Sequence, residues 1–313
     1  MNGRELSKGY FETYGKPMLE RDFPELLPLL AAGLVGRGSE CFGYDDESSR
    51  DHDFEPGFCL FLPGEEVVSR REAFLLERAY AKLPKEYEGV RRNLVNPVGG
   101  ARHGVFRTEE FYRKHIGGPA APTTYDEWNA LPEYARAEAV NGDLYFDNYG
   151  QFSAIRGAVR LLPEDVRRKR LAGQLLLAAQ AGQYNYARCL GHGETGAAQL
   201  AAVAFVQAAM AAIFLLNNRP MPFYKWQFRA LRELPILAST ATDLEFLLCS
   251  GNQAAEAAKK QEQIEQLSAL LIAEVKRQGL SGTNSPDLER HAYDVNDSIT
   301  DADIRNRHIL DAT

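Results

Sequence analysis

The chain has 313 residues, 45% of them hydrophobic and 25% charged, which is enough apolar material for ordinary globular cores and enough length for two domains. A formal net charge of -7 and an isoelectric point near 5.5 argue against a general polyanion-binding surface, because affinity for a phosphate backbone comes from clustered Lys and Arg. Cys41, Cys59, Cys189 and Cys249 are widely separated and form no C-x-x-C pair, which points to reduced thiols in a cytoplasmic protein and away from zinc or a disulfide framework.

The residues from Met1 to Leu19 contain no uninterrupted apolar stretch of the kind that forms a secretion signal, so no export is expected. Gly33 to Val35 is a short apolar run leading into Gly36-Arg37-Gly38-Ser39, the pattern of a strand followed by a tight turn. A polar loop, Tyr44 to Arg50, precedes Asp51 to Leu62, whose apolar end Phe58-Cys59-Leu60-Phe61-Leu62 suits a buried strand stopped by Pro63-Gly64. Glu65 to Leu83 has helical spacing. His103 to Thr108 reads as a further strand, Glu109 to His115 as a short helix ended by Gly117-Gly118, and Leu144 to Phe146 as a last strand.

From Pro163 onward the pattern is helical, with predicted helices over 164–190, 194–217, 225–239 and 243–278. Ser285-Pro286 reads as an N-cap and first-turn proline, followed by Leu288, Ala292, Val295 and Ile299 at helical spacing. Ala197 to Leu216, interrupted only by Gln199 and Gln207, is long enough to span a bilayer, but its alanine content and the lack of a flanking Lys/Arg bias favour a buried bundle helix. The fold class predicted is α+β: a mixed sheet with flanking helices in residues 1–155, then an α-helical bundle in 156–313.

Asp51 and Asp53 are two apart at the head of an apolar strand, so both carboxylates project from one face. Such a pair repels itself unless a cation lies between, and hard oxygen ligands next to a phosphate-cradling turn suit Mg2+, which keeps waters and completes its shell with substrate phosphates. The Gly38-Ser39 turn precedes the pair by eleven residues, which allows its N–H groups and the Ser39 hydroxyl to reach a triphosphate held by the same metal.

An apolar strand, Gly-Ser, a spacer of about ten residues and Asp-x-Asp opening a second strand resembles the pattern of the DNA polymerase beta superfamily of nucleotidyltransferases, which includes the kanamycin and streptomycin enzymes. The likeness is closer to an uncharacterised bacterial branch, through Gly36 to Glu40, Gly43-Tyr44-Asp45, Arg50 to Asp53, Gln183-Tyr184-Asn185 with Arg188, Leu216-Asn217 with Arg219, and Tyr224-Lys225-Trp226. The resemblance implies a nucleotidyltransferase-type sheet, Mg2+ on Asp51 and Asp53, and an NTP, ATP by preference, held by Arg37, Gly38 and Ser39. The acceptor it implies is a hydroxyl on a small molecule, a protein side chain or an RNA end. The acidic balance excludes a long nucleic acid, and no membrane is implicated.

Two departures from the superfamily pattern stand out. His52 occupies a position that is ordinarily apolar, and a hydrogen-bonded core histidine is the plainer account of it. No carboxylate stands within His103 to Thr108, where a third acid belongs; Asp147 is the candidate, with Asp143 and Glu109 as alternatives. In the helical half, Asn185, Arg188 and Lys225 either contact the nucleotide or tie helix ends together. Arg167-Arg168-Lys169-Arg170 reads as a solvated face. Two rival readings remain: a nucleotide-binding or partner-binding protein that lost turnover, and an interaction protein that pairs through its helical half.

Overall fold

In the computed structural model, which describes residues 1–47, 54–92 and 102–313, the chain opens with helix α1 (Gly3–Tyr10). Asn2 and Glu5 exchange side-chain and backbone hydrogen bonds there in a capping box, an end signal that apolar periodicity does not register. The helix continues through a π-helical turn (Phe11–Gly15) into α2 (Lys16–Asp22). Strand β1 (Ala31–Leu34), the four-residue α3 (Ser39–Phe42) and strand β2 (Cys59–Leu62) come next. Helix α4 (Arg70–Ala81) begins later than Glu65 because Ser69 and Glu72 form its capping box. After it stand the hairpin β3 (Glu86–Tyr87) and β4 (Val90–Arg91), strand β5 (Gly104–Arg107) and α5 (Thr108–Ile116). Beyond α6 (Tyr125–Ala130) lie α7 (Glu133–Val140), β6 (Asp143–Asp147) and α8 (Gln151–Arg160).

The architecture is mixed α and β, and among the described residues one sheet holds four strands in the order β5-β2-β1-β6. β1 is antiparallel to both β2 and β6, while β2 is parallel to β5. A parallel pair needs a crossover, and α4 supplies it. Along β2 the side chains alternate between two apolar clusters, so the strand is buried on both faces and reads as an unbroken apolar run. Leu60 and Leu62 join Tyr10, Phe11 and Leu76 on one face. Cys59 and Phe61 join Phe111, Tyr112 and Phe152 on the other.

The chain divides into two compact units, residues 1–123 with 131–160 and residues 124–130 with 161–313. The expected boundary at 155/156 falls inside α8, which the first unit keeps whole.

The second unit contains α6 and continues with α9 (Glu164–Ala178), a π-helical stretch (Ala179–Tyr186), α10 (Ala187–Gly191), α11 (Thr195–Leu216), α12 (Tyr224–Arg232), α13 (Ala241–Cys249), α14 (Ala254–Arg277), α15 (Leu288–Asp297) and α16 (Ala302–Asn306). α11 has the length and hydropathy of a membrane span, yet 67% of its most apolar window is buried within the fold. α9, α13, α14 and the π-helical stretch pack around it. The predicted helix over 243–278 is two helices, because Ser250 caps the Phe246 carbonyl at 2.5 Å and Gly251 follows. The N-cap of α15 is Asp287; the Ser285 hydroxyl instead accepts from the Asp287 N–H at 3.1 Å.

The basic run is not a solvated face. Arg167, Lys169 and Arg170 are buried, and Lys169 is fully so. Lys169 Nζ donates to Asn296 Oδ1 at 2.9 Å and to the carbonyls of Arg305 and Arg307 at 3.2 and 2.6 Å. Arg167 reaches the Leu215 carbonyl at 3.3 Å, Arg168 the Ser298 carbonyl at 2.5 Å, and Arg170 the Trp128 carbonyl. These carbonyls lie in last turns or caps, where a helix leaves its acceptors without an internal partner. Burial pushes the Lys169 ammonium below its ordinary range. Lys169→Met removes the donor at similar volume from the part-buried Asn296 amide oxygen and Arg307 carbonyl, while the Arg305 carbonyl keeps the Asn296 amide at 3.3 Å, so chemical denaturation should show a loss of roughly 1–3 kcal/mol. A loss within about 0.5 kcal/mol would mean that these carbonyls have other donors.

Candidate active site at one end of the sheet

The register of the sheet gathers four chain segments at one end. Gly33 pairs with Cys59, Leu34 with Asp143, and Cys59 with Gly104. The turn leaving β1, the approach to β2, Arg102 and His103 before β5, and Gly142 before β6 therefore all belong to that end.

The turn is held by a side chain 105 residues away in sequence. Asn141 Oδ1 accepts the Gly36 N–H at 2.8 Å, and Asn141 Nδ2 donates to the Gly36 carbonyl at 2.7 Å. Gly36 has φ +102°, a conformation that favours glycine, and a Cβ there would meet Phe111 and His115. Arg37 lies 3.3 Å from the Glu138 carboxylate, with its own side chain 55% exposed. Burial raises the Glu138 carboxyl, and Arg37 offsets part of that.

Glu40, on α3, pairs with Arg102, and both side chains are largely buried. Its backbone carbonyl accepts from Arg4 Nε at 3.2 Å, and Arg4 Nη2 donates to the Cys41 carbonyl at 2.9 Å. Arg4 also stands 3.7 Å from Asp143. His103 Nδ1 lies 3.4 Å from Glu55 Oε1. Burial raises the Cys41 thiol well above its ordinary range and Cys59 to about 12, so neither supplies a thiolate at neutral pH.

Gly38 and Ser39 are placed by the structure where α3 begins, at the turn end of the sheet. Asp51, His52 and Asp53 lie outside the described residues. Among the described residues no group of three His, Cys, Asp or Glu side chains is arranged to hold a metal. Asp147 stands at the opposite end of the sheet from the turn. It pairs with Ala31, so three strand rises, about 10 Å, separate it from the level of Leu34. Its two carboxylate oxygens accept the N–H groups of Gly150 and Ser153 at 2.8 and 2.7 Å, which caps the start of α8. Asp143, the alternative, lies at the turn end.

Asn185, Arg188 and Lys225 belong to the second unit, and all three are exposed. Arg188 lies 5.4 Å from the Tyr184 ring centroid and bonds its hydroxyl at 2.5 Å, while Lys225 Nζ lies 5.0 Å from the Trp226 ring. Asn141, Arg102, Arg4, His103 and His115 were not singled out from the sequence. An Asn-Gly dipeptide, as at Asn141-Gly142, is a turn signal open to sequence reading, but nothing in it announces a bond to Gly36.

Residues 128–227 match a family described as a domain of unknown function, DUF4037. The matched stretch runs from α6 to the beginning of α12 and so includes Asp143, Asp147, Asn185, Arg188 and Lys225. No curated protein and no solved structure matches the chain.

His115 Nδ1 donates to the Phe111 carbonyl at 2.9 Å, while its Nε2 is buried and meets no hydrogen-bond partner among the described residues. Burial lowers its pKa to about 4; the Phe111 carbonyl opposes that, and Arg37 and Lys114 add to it. The unfolded chain, with an ordinary imidazole near 6.5, binds the proton more readily. The stabilisation is therefore complete above about pH 6.5 and is lost as pH falls toward 4, amounting to at most about 3 kcal/mol. His115→Gln should flatten the stability profile across that window, and an unchanged slope would assign it to other groups. Asp147→Ala, by removing two backbone acceptors from the start of α8, should cost about 1–2 kcal/mol in urea denaturation.

Proposed function

We propose that the protein is a Mg-dependent nucleotidyltransferase that moves a nucleoside monophosphate from an NTP, ATP by preference, to a hydroxyl acceptor with release of pyrophosphate. The observation that carries this reading is the register that puts the Gly36 to Ser39 turn at the same end of the sheet as the approach to β2. Asp51 and Asp53 lie in that approach by sequence, eight and six residues ahead of Cys59. The mixed sheet, with a crossover between its parallel strands, is compatible with a nucleotidyltransferase-type fold.

In this reading the clamped turn presents N–H groups to the phosphates, and Arg37, half exposed beside it, adds a cation. Because Asn141 fixes the turn before any ligand arrives, little reorganisation is needed on binding. Asp143 replaces Asp147 as the third carboxylate, since only Asp143 stands at the turn end. Bound Mg2+ would offset phosphate charge and assist departure of pyrophosphate. Asn185, Arg188 and Lys225 remain proposed nucleotide or acceptor contacts on the strength of the resemblance.

The Arg4 guanidinium 3.7 Å from Asp143, a competing partner for that carboxylate, favours a second reading, a nucleotide-binding protein without turnover. Melting curves and a pyrophosphate-release assay on the same preparations separate the two. With EDTA, Asp51→Asn and Asp53→Asn should melt at or slightly above the parent, because each relieves carboxylate repulsion. With Mg2+ and ATP the parent should gain, by about 2.7 kcal/mol at a hundredfold excess over Kd, and the variants much less. Stabilisation without pyrophosphate release supports the second reading. Variants that melt far below the parent in EDTA would make the aspartates structural and remove the chemical centre of both.

A further inference from the structure

β6 ends the sheet, and no strand flanks its outer side among the described residues. Beside that edge lies an open groove of about 1210 Å3 that runs the length of the strand, from Gly142 and Arg156 at one end to Leu27 and Asn148 at the other. Its floor is aromatic. Phe11 stacks on Tyr145 with ring centroids 5.0 Å apart and lies 5.9 Å from Phe146. Neighbouring residues 145 and 146 reach the same apolar cluster because the pairing of β1 and β6 shifts register between Ala32 and Gly33.

The wall opposite the strand is the continuous helix of α1, the π-helical turn and α2, which presents Arg4, Lys8, Glu12, Lys16 and Glu20 along the groove. Lys8 and Glu12, like Lys16 and Glu20, stand 3.9 Å apart with every side chain more than half exposed. Such pairs contribute little and reopen at little cost.

We propose that this edge docks an extended peptide segment of another protein, which adds to the sheet as a further strand. The size of the groove exceeds the roughly 300–1,000 Å3 typical of small-molecule sites. Its lining balances four cations against four carboxylates, a composition that offers a polyphosphate backbone no net attraction. An uncovered strand edge presents a ladder of donors and acceptors, and a peptide main chain matches that ladder residue for residue. Five residues of β6 give about 16 Å of edge, room for a segment of comparable length. Aromatic rings on the floor receive its alternate side chains, and the two-signed rim selects charges on the others. The inference does not rest on nucleotidyl transfer, and either can fail without the other.

The test is a displayed library of random dodecapeptides selected on the full chain without nucleotide, followed by synthesis of the enriched sequences. Enriched peptides should protect the amides of residues 143–147 from hydrogen exchange. N-methylation at alternate peptide positions should weaken binding at least about tenfold, because it removes the ladder donors. The double substitution Glu12→Lys with Lys16→Glu, on exposed positions that leave the core untouched, should change which peptides are enriched. The proposal is overturned if no sequence is enriched, if bound peptides leave residues 143–147 unprotected, if N-methylation has no effect, if the double variant enriches the same peptides, or if single-stranded oligothymidylate displaces them.

Discussion

The first unit depends on how closely β6 approaches β1 at Gly33. A Cβ at that position would fall 2.4 Å from the Asp143 carbonyl oxygen and 3.0 Å from the Leu144 Cα, closer than the two backbones tolerate. Only glycine admits the register shift there. That shift aligns Asp143 with Leu34, brings Asn141 within reach of Gly36, and turns Tyr145 and Phe146 toward the same apolar cluster. The turn end of the sheet and the groove along β6 are thus two consequences of one close contact.

Much of the first unit was legible because its strands obey a simple rule. Leu60 and Leu62 face one cluster, Cys59 and Phe61 the other, and a strand buried twice shows as an unbroken apolar run. The N-terminal helices were missed although Asn2 and Glu5 carry a capping-box signature, since that signature lies in end chemistry and not in apolar periodicity. The site was legible only in part. A glycine turn ahead of an aspartate pair is a local pattern, whereas the Asn141 clamp, the Glu40–Arg102 pair and the opposite placements of Asp143 and Asp147 are tertiary facts. Sequence spacing makes Asp143 and Asp147 near neighbours, yet a strand of five residues carries them to opposite ends of the sheet.

The second unit shows how composition misleads when charge serves backbone polarity. Four consecutive basic residues ordinarily announce a solvated face, but α9 lies where other helices end. Carbonyls in last turns and caps have no partner within their own helix, and a long cationic side chain satisfies several at once. Lys169, wholly buried, does so with three acceptors and no carboxylate among them. Within the first unit, Arg156 plays the same part, donating to the carbonyls of Val140, Asn141 and Gly142 at 2.6 to 3.1 Å.

The Arg156 arrangement bears on the proposed site. Arg156 fixes the end of α7 from which Asn141 projects, and Asn141 in turn fixes Gly36 by both polar ends of its amide. The turn is held by a chain of charge-assisted and amide bonds, so its shape is set by the fold itself. Burial meanwhile lowers the Arg156 guanidinium, and the carbonyls of Val140, Asn141 and Gly142 replace the water it lost. A partly buried cation loses stability when a carbonyl is withdrawn, so one side chain ties the end of α7 to the start of β6 and, through Asn141, to the turn.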